Sequence, residues 1–384
     1  MLTTSGRPVN FKTVTVLVTF GYKKRPCRRL YGKRTAQTAR EGVNTASKGG
    51  AMSKQTVLKL LQASSGKFIS GEEVSGQLGI TRAAVWKAVN ALRRDGYDIE
   101  ARKSQGYRLM DAPDRLTETE IRANLGETRL VGRKLCCFER IDSTNAYLKR
   151  AASEGVADGT VAVADEQTNG RGRRGRSFAS PAGKSVSLSV LFRPPVEPNR
   201  LLPITGFTAV AMCNAVERVA GVRPRIKWAN DLVLGGRKLC GILTELSMEG
   251  ESGALQYVII GAGINVAQTA EDFTGELAGV ATSLAVETGK SVSRAALAAA
   301  MIEEFDALYA ALLRHKLQPY LEAYRRDCLT IGSEVQLLWE DVHEKVLAVG
   351  VDDELGLRVM RESGAEETIR TGEVSVRGLY GYVE

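Results

Sequence analysis

Between Gly170 and Arg176 the chain reads Gly-Arg-Gly-Arg-Arg-Gly-Arg, four arginines on a backbone loosened by three glycines. Like charges at that density cannot be buried together without an anionic partner, and glycine-rich backbone lets N–H groups close around phosphate or carboxylate oxygens. The run is no tail: Val161 to Ala164 reads as a buried strand before it, and Val186, Leu188 and Val190 alternate as a strand after it. The expected feature is a lid ordered by an anionic substrate. An exposed nucleic-acid-binding basic run is the plainer alternative. The glycines also satisfy G-x-G-x-x-G, but Ser177 to Gly183 is turn-rich where a dinucleotide fold needs a helix. A P-loop fails as well, because Phe178 stands where the glycine upstream of Gly183-Lys184-Ser185 belongs.

Charge elsewhere is uneven. The net charge is +9, yet residues 1–50 hold 11 Lys/Arg and one acid, so the remainder is −1. The basicity therefore belongs to a tail, and the body is nearly neutral. In that tail the apolar run Val14 to Phe20 is followed, not preceded, by the basic cluster Lys23 to Arg29, the wrong polarity for a secretory signal. Its few acids also suit an organellar transit peptide, but Met52 directly precedes a helical segment, Ser53 to Gln62. Residues 1–51 are expected to be a basic extension, disordered or untranslated, on a cytoplasmic protein. No apolar stretch reaches the roughly 18 residues needed to span a bilayer. Cys27, Cys136, Cys137, Cys213, Cys240 and Cys328 show no metal spacing, and with only His315 and His343 a histidine-rich zinc centre or a triad is not expected. At 384 residues and 43% hydrophobic, the chain should divide into two or three domains.

The first is expected over 52–112. Val57, Leu58, Leu60 and Leu61 give one apolar helix face, Ser70 starts a second helix, and Leu78-Gly79-Ile80 makes a tight turn. Thr81 then caps a third, in which Val85, Val89 and Leu92 face inward and Arg82, Lys87, Asn90, Arg93 and Arg94 are left for solvent or a polyanion. This is a helix-turn-helix with Thr81 to Leu92 as recognition helix, followed by a wing over Tyr97 to Leu109 with Gly106 as its turn. The DNA-reading positions expected are Thr81, Arg82, Ala83, Ala84, Lys87 and Asn90. Residues 53–112 are only +4, so an ordinary solvated face is the alternative. One module contacts few phosphates, and a useful affinity would need a dimer reading half-sites spaced by whole turns of about 34 Å.

A central domain is expected over 115–328. Leu116 to Leu125 reads as a short helix, and Asp142-Ser143-Thr144-Asn145 opens another with three competent caps, which also suit a small polar ligand at a helix N-terminus. Further on, Arg225 to Leu234 and Arg237 to Leu243 form a strand-turn-strand unit around Gly235-Gly236, so that Lys227 and Lys238 point into one pocket. Tyr257 to Ile260 then delivers Gly261-Ala262-Gly263-Ile264-Asn265, where small residues permit close approach of a ligand or a neighbouring strand. Arg294 to Arg314 is an alanine-rich helix with Leu297, Met301, Phe305 and Leu308 inward, followed by Tyr320 to Cys328. From 329 to 384, Val335 to Trp339, Lys345 to Val351, Leu355 to Met360 and Thr368 to Val374 read as short strands, suggesting a small SH3-like barrel or an edge sheet.

In this order the motifs resemble the biotin protein ligases, specifically the two-function type with a DNA-binding arm that represses biotin-operon transcription. The match runs from Ser53 to the C-terminus. It rests on Asp142 to Asn145, the Gly170 to Arg176 loop with Ser180-Pro181, Lys227-Trp228-x-Asn230-Asp231, Arg237-Lys238-Leu239-x-Gly241-Ile242 and Gly261-x-Gly263-Ile264-Asn265. The resemblance implies an α+β chain: a winged helix-turn-helix, a central mixed α/β ligase domain of class II synthetase type, and an SH3-like C-terminal barrel. It implies that Ser143, Thr144, Asn145 and Gln167 meet biotin, that Arg171, Gly172 and Arg173 order over the biotinyl-adenylate, and that Lys238 contacts the reacting carboxylate and phosphate. Arg173, Arg174, Arg176, Phe178, Lys227 and Asn230 would face the nucleotide, and Mg2+ would sit near Asn230 and Asp231. The chain departs from the family at Ala229, usually Pro, and at Phe178, often Trp.

Joining a carboxylate to the α-phosphate of ATP brings two anions together, so such a site needs cations and oriented donors more than a base or a nucleophile. Arginines and lysines without a histidine suit that chemistry. Asp231 is then a candidate to orient the attacking amine of a biotin carboxyl carrier protein. The expected partners are that carrier, operator DNA, and a second copy of the chain when adenylate is bound. Two other readings stay open: a non-catalytic regulator that senses a small anion, and a lipoate or octanoate ligase.

Overall fold

A computed structural model describes residues 46–64, 66–111, 114–173, 178, 180–250, 252–339, 342–370 and 375–378. The extension expected over 1–51 falls, up to position 45, outside the described residues. Helix α1 (Ala46–Ala63) begins seven residues before the expected Ser53. Helix α2 (Gly71–Leu78) is capped by Ser70, whose hydroxyl accepts from Glu73 N at 3.0 Å, and ends at Gly79 with φ 62°. Helix α3 (Arg82–Arg94) is capped by Thr81, which accepts from Ala84 N. Val57, Leu58, Leu61, Val74, Val85, Val89 and Leu92 close into one small core with Tyr97 and Ile99.

Strands β1 (Asp98–Arg102) and β2 (Gly106–Asp111) pair antiparallel as the expected two-stranded extension. Gly106 is not its turn. The left-handed turn residue is Ser104, whereas Gly106 passes so close to the segment before α2 that a Cβ there would stand 2.0 Å from Ile69 O.

Helix α4 (Glu118–Asn124) leads to a seven-stranded sheet. Its members are β3 (Leu135–Ile141), β4 (Val161–Gln167), β5 (Ser185–Phe192), β6 (Arg225–Lys227), β7 (Asp231–Leu234), β8 (Arg237–Met248) and β9 (Leu255–Asn265), in the order β3-β4-β5-β9-β8-β7-β6. Only β3 and β4 run parallel. Helix α5 (Thr144–Ser153) covers one face over Ala162, Leu191 and Ile259. Helices α6 (Ile204–Ala220) and α8 (Arg294–Leu313) cover the other over Val161, Val163, Val190, Phe192, Val258 and Ile260. Burial on both faces is why β4, β5 and β9 read as continuous apolar runs. The short α7 (Leu284–Thr288) and α9 (Gln318–Asp327) complete this layer.

The C-terminal strands β10 (Glu334–Trp339), β11 (Val342–Val351), β12 (Leu357–Met360), β13 (Glu366–Ile369) and β14 (Ser375–Gly378) form one antiparallel sheet in the order β13-β12-β11-β10-β14. Among the described residues β13 and β14 each have a single partner strand, so the expected closed barrel is not formed. Among them also, no helix is long and apolar enough to cross a membrane, and Cys136, Cys137, Cys213, Cys240 and Cys328 are free thiols.

Two junctions hold the N-terminal helices to the sheet layers. Tyr97 Oη donates to Glu120 Oε1 at 3.0 Å, Lys59 Nζ donates to Leu125 O at 2.9 Å, and Ala123 of α4 joins the N-terminal core. The chain after α4 is then caught by α8, where the Asp306 carboxylate accepts from the backbone N–H groups of Arg129, Leu130 and Val131. At the start of α8, the buried Arg294 guanidinium pairs with Asp114 and with Asp165 of β4.

Desolvation raises the Glu120 carboxyl to about 7, although Tyr97 Oη and Arg115 N both donate to it. Folded Glu120 thus holds a proton that the unfolded chain has already released, and the stability this contributes is lost as pH rises through about 7. Glu120→Gln should flatten the fall in thermal midpoint between about pH 5 and about pH 8, followed by calorimetry of the full chain.

Candidate active site

The N-terminus of α5 is built into the sheet by a chain of polar groups. Ser143 is its cap, accepting from Ala146 N at 3.4 Å, and it takes that role rather than Asp142, which pairs with Arg150 at 2.7 Å. That pairing lowers the Asp142 carboxyl to about 2. Thr144 N donates to Gln167 Oε1 at 2.8 Å, and the Thr144 hydroxyl lies 3.1 Å from the same oxygen and 2.6 Å from Ser189 Oγ. Ser189 Oγ donates to Asn145 Oδ1 at 2.6 Å, and Asn145 Nδ2 donates to Glu245 Oε2 at 2.9 Å. Gln167 Nε2 reaches Ser187 Oγ, which contacts Ser180 Oγ at 2.8 Å. Helix α5, β4, β5 and β8 therefore meet at one polar seam, with Ser143, Thr144, Asn145 and Ser189 all buried.

The expected close approach at Gly261 and Gly263 is real, and its occupants are side chains of this seam. A Cβ at Gly261 would stand 2.2 Å from Asn145 Oδ1 and 3.0 Å from Ser189 Oγ, and one at Gly263 would stand 2.5 Å from Phe178 Cζ. Strand β9 thus leaves room for Asn145 and Phe178 by carrying no side chain at either position.

A second cluster lies at the β6–β7–β8 hairpins. Register places Lys227 opposite Asp231, and Asp231 opposite Gly241. Lys238 Nζ pairs with Asp231 Oδ1 at 2.8 Å, and Lys227 is buried on β6. Lys227 thus stands across the strand pair from the residue whose carboxylate Lys238 holds. Gly235 and Gly236 both have positive φ and make the hairpin, over which Arg237 pairs with Glu287 at 2.7 Å. The turn before β7, with a cis Trp228–Ala229 bond, is held from the C-terminal side: Trp228 N donates to Thr330 Oγ1 at 3.0 Å, and Trp228 Nε1 to Leu355 O at 2.8 Å.

The arginine loop joins the two clusters. Arg173 Nη1 donates to Asn230 Oδ1 at 2.9 Å, while Asn230 Nδ2 donates to Ile242 O. Arg171 is exposed and Gly172 half-buried. Arg174 and Arg176 lie outside the described residues. Burial pushes the Cys137 and Cys213 thiols up to about 12, and among the described residues no group of three His, Cys, Asp or Glu gathers to hold a metal ion.

On α3, Thr81, Arg82, Ala83 and Lys87 are exposed and Ala84 and Asn90 half-buried. Arg93 is not left for a polyanion, because its guanidinium donates to Ile99 O of β1 at 2.6 and 3.0 Å. Sequence reading passed over Trp86, 62% exposed on this helix. It also passed over Ser187, Ser189 and Glu245. The two serines had a signal, since Ser185, Ser187 and Ser189 alternate with Val186, Leu188 and Val190 and so line one face of β5. Glu245 had none, being one acid among many.

Residues 137–265 match the profile of the biotin/lipoate A/B protein ligase family, and residues 53–108 that of an HTH domain. The chain is 36% identical over 301 residues to the bifunctional ligase/repressor BirA of Bacillus subtilis (strain 168), covering 78% of this chain and 92% of that protein. It is 33% identical to the bifunctional ligase/repressor BirA of Escherichia coli (strain K12), over 83% of this chain and 97% of that protein. Among solved structures, the biotin protein ligase from Aquifex aeolicus in complex with biotin and ATP superposes with a TM-score of 0.56 at 28% identity, covering 64% of this chain and 99% of that one.

Because Gly261 has no space for a methyl group, Gly261→Ala should cost about 1–3 kcal/mol in urea unfolding. Gly76→Ala, in α2 with nothing within 4 Å, should match or slightly exceed the parent.

Proposed function

The chain belongs to the biotin protein ligase family in its bifunctional ligase/repressor form, and from that premise we propose how its two clusters share the work. The enzyme is an ATP-dependent biotin protein ligase, and its helix-turn-helix domain makes it a DNA-binding repressor as well. In the reading proposed here, the seam of Ser143, Thr144, Asn145 and Gln167 receives biotin. Arg171, Gly172 and Arg173 lie over the adenylate, and Arg174, Arg176, Phe178, Lys227 and Asn230 face the nucleotide.

The carboxylate of biotin attacks the α-phosphorus of ATP, an acyl–phosphate bond forms and pyrophosphate leaves. Both reacting groups are anionic, so the contribution of the protein is charge and orientation. Lys238, oriented by Asp231, neutralises the attacking carboxylate, and Lys227 the phosphate. Mg2+ would enter with ATP, and Asn230 and Asp231 would supply side-chain oxygens to it. A lysine amine of a biotin carboxyl carrier protein then attacks the acyl carbon, an amide forms and AMP leaves. The C-terminal sheet, in this reading the small SH3-like module of the family, steadies the Trp228 turn beneath the nucleotide. Thr81, Arg82, Ala83, Ala84, Lys87 and Asn90 face operator DNA in an adenylate-bound homodimer, and the free cysteines suit a reducing cytoplasm.

The single observation that carries this reading is the contact of Arg173 with Asn230. It brings the glycine–arginine loop onto the turn between Lys227 and Asp231. Exchange of radiolabelled pyrophosphate into ATP should require biotin and should not be supported by lipoate; exchange without biotin, or none at all, would overturn it. In operator titrations, adenylate should tighten binding by about 5–150-fold, and equal affinity with and without adenylate would remove the coupling.

A further inference from the structure

The polar seam contains a question of proton direction that its geometry answers. Glu245 is a carboxylate, paired with Lys149 at 3.5 Å, and a carboxylate only accepts. Asn145 must therefore turn Nδ2 toward Glu245 Oε2, where Leu243 O is a second acceptor at 3.5 Å, and turn Oδ1 toward Ser189. The Ser189 hydroxyl, fully buried, then gives its one proton to Asn145 Oδ1. At 2.6 Å from Ser189 Oγ, Thr144 must in turn give its own single proton to Ser189. No hydroxyl proton is then left for Gln167 Oε1. That oxygen is fixed toward Thr144 by the backbone N–H of Thr144, which only donates.

Thr144 Oγ1 thus lies 3.1 Å from Gln167 Oε1, a contact in which only Thr144 can donate, while its one proton is drawn to the shorter 2.6 Å contact with Ser189. An acceptor pair of this kind is satisfied by one incoming N–H. We infer that Glu245 is a positioning residue which, without touching substrate, sets the direction of the Asn145–Ser189–Thr144 hydrogen-bond chain and so makes the site demand an N–H donor from the ring it binds. This rests on the biotin reading and deepens it: a cyclic urea carries such donors, and the dithiolane of lipoate has none. The carboxylate at the far end of the chain, on β8, is then part of what separates the two substrate classes that share this fold.

In Glu245→Gln the amide can donate to Asn145 as well as accept from it. The chain can then reverse, with Asn145 Nδ2 donating to Ser189, Ser189 to Thr144, and Thr144 to Gln167 Oε1, filling the gap with a protein proton. The biotin KM of Glu245→Gln in pyrophosphate exchange should rise about tenfold, with the ATP KM serving as reference and moving less than twofold. Ser189→Ala cuts the same chain in the middle and frees the Thr144 proton for Gln167, so it should show the same split. Biotin methylated on its ureido nitrogens should bind much more weakly than biotin to the parent, and that penalty should shrink in both variants.

Melting temperatures of the purified variants separate loss of fold from loss of direction. A biotin KM that is unchanged in a folded Glu245→Gln protein, or a rise there that Ser189→Ala does not reproduce, overturns the inference. Failure of the parent chain to use biotin at all would instead remove the functional reading on which it rests.

Discussion

Positive charges close together in a fold repel one another, and the sheet can hold them only where each is paired with an acceptor that is itself part of the framework. Lys238 is pinned by Asp231, Arg173 by Asn230, Arg237 by Glu287 and Arg150 by Asp142. These partners neutralise only part of the charge and leave the remaining donors aimed rather than free to wander. Preorganisation of this kind stabilises charge in a reaction without reorganisation at the moment of transfer. The hairpin between β7 and β8 and the turn before β7 are in turn fixed from outside the sheet, by Glu287 of α7 and by Thr330 and Leu355 on the C-terminal side.

The same economy links the two activities. Helix α4 is only seven residues long, yet it is shared between two cores: Ala123 packs among the N-terminal helices, while Ile121 belongs to the core of the large sheet. Tyr97 and Glu120 tie the strand after the recognition helix to it, and Asp306 fastens the chain that follows α4 to α8. Arg294, at the first position of α8, holds both Asp114 just ahead of α4 and Asp165 on β4, the strand that ends in Gln167. A set of partly buried polar contacts therefore runs from the segment after α3 to the strand from which the arginine loop springs.

Much of this was legible in the order of residues. The helix-turn-helix followed from i, i+4, i+7 apolar spacing and from Ser70 and Thr81 as caps, both local properties. The strands around the arginine loop followed from two-sided apolar runs, and the Gly235-Gly236 hairpin from its turn residues. Gly106 was placed in the turn, whereas it closes the turn as the first residue of β2, and its missing side chain answers both a φ of 101° and the approach of Ile69, thirty-seven residues earlier. Arg93 was misread because its acceptor, Ile99 O, comes within reach only once β1 folds back. The first three C-terminal strands were located closely, but the fourth, expected over Thr368 to Val374, meets only the end of β13, β14 was not foreseen, and whether the sheet closes depends on pairing between distant edges that spacing does not encode.

What the sequence by itself determined is the kind of chemistry: arginines and lysines among glycines, with two histidines in the whole chain, leave room for charge stabilisation and little else. Only the tertiary structure decided which polar group gives a proton to which. That direction depends on Glu245 standing 2.9 Å from an amide one hundred residues earlier in the chain, and hydrogen-bond polarity is a property of neighbours in space, which no local pattern of residues carries.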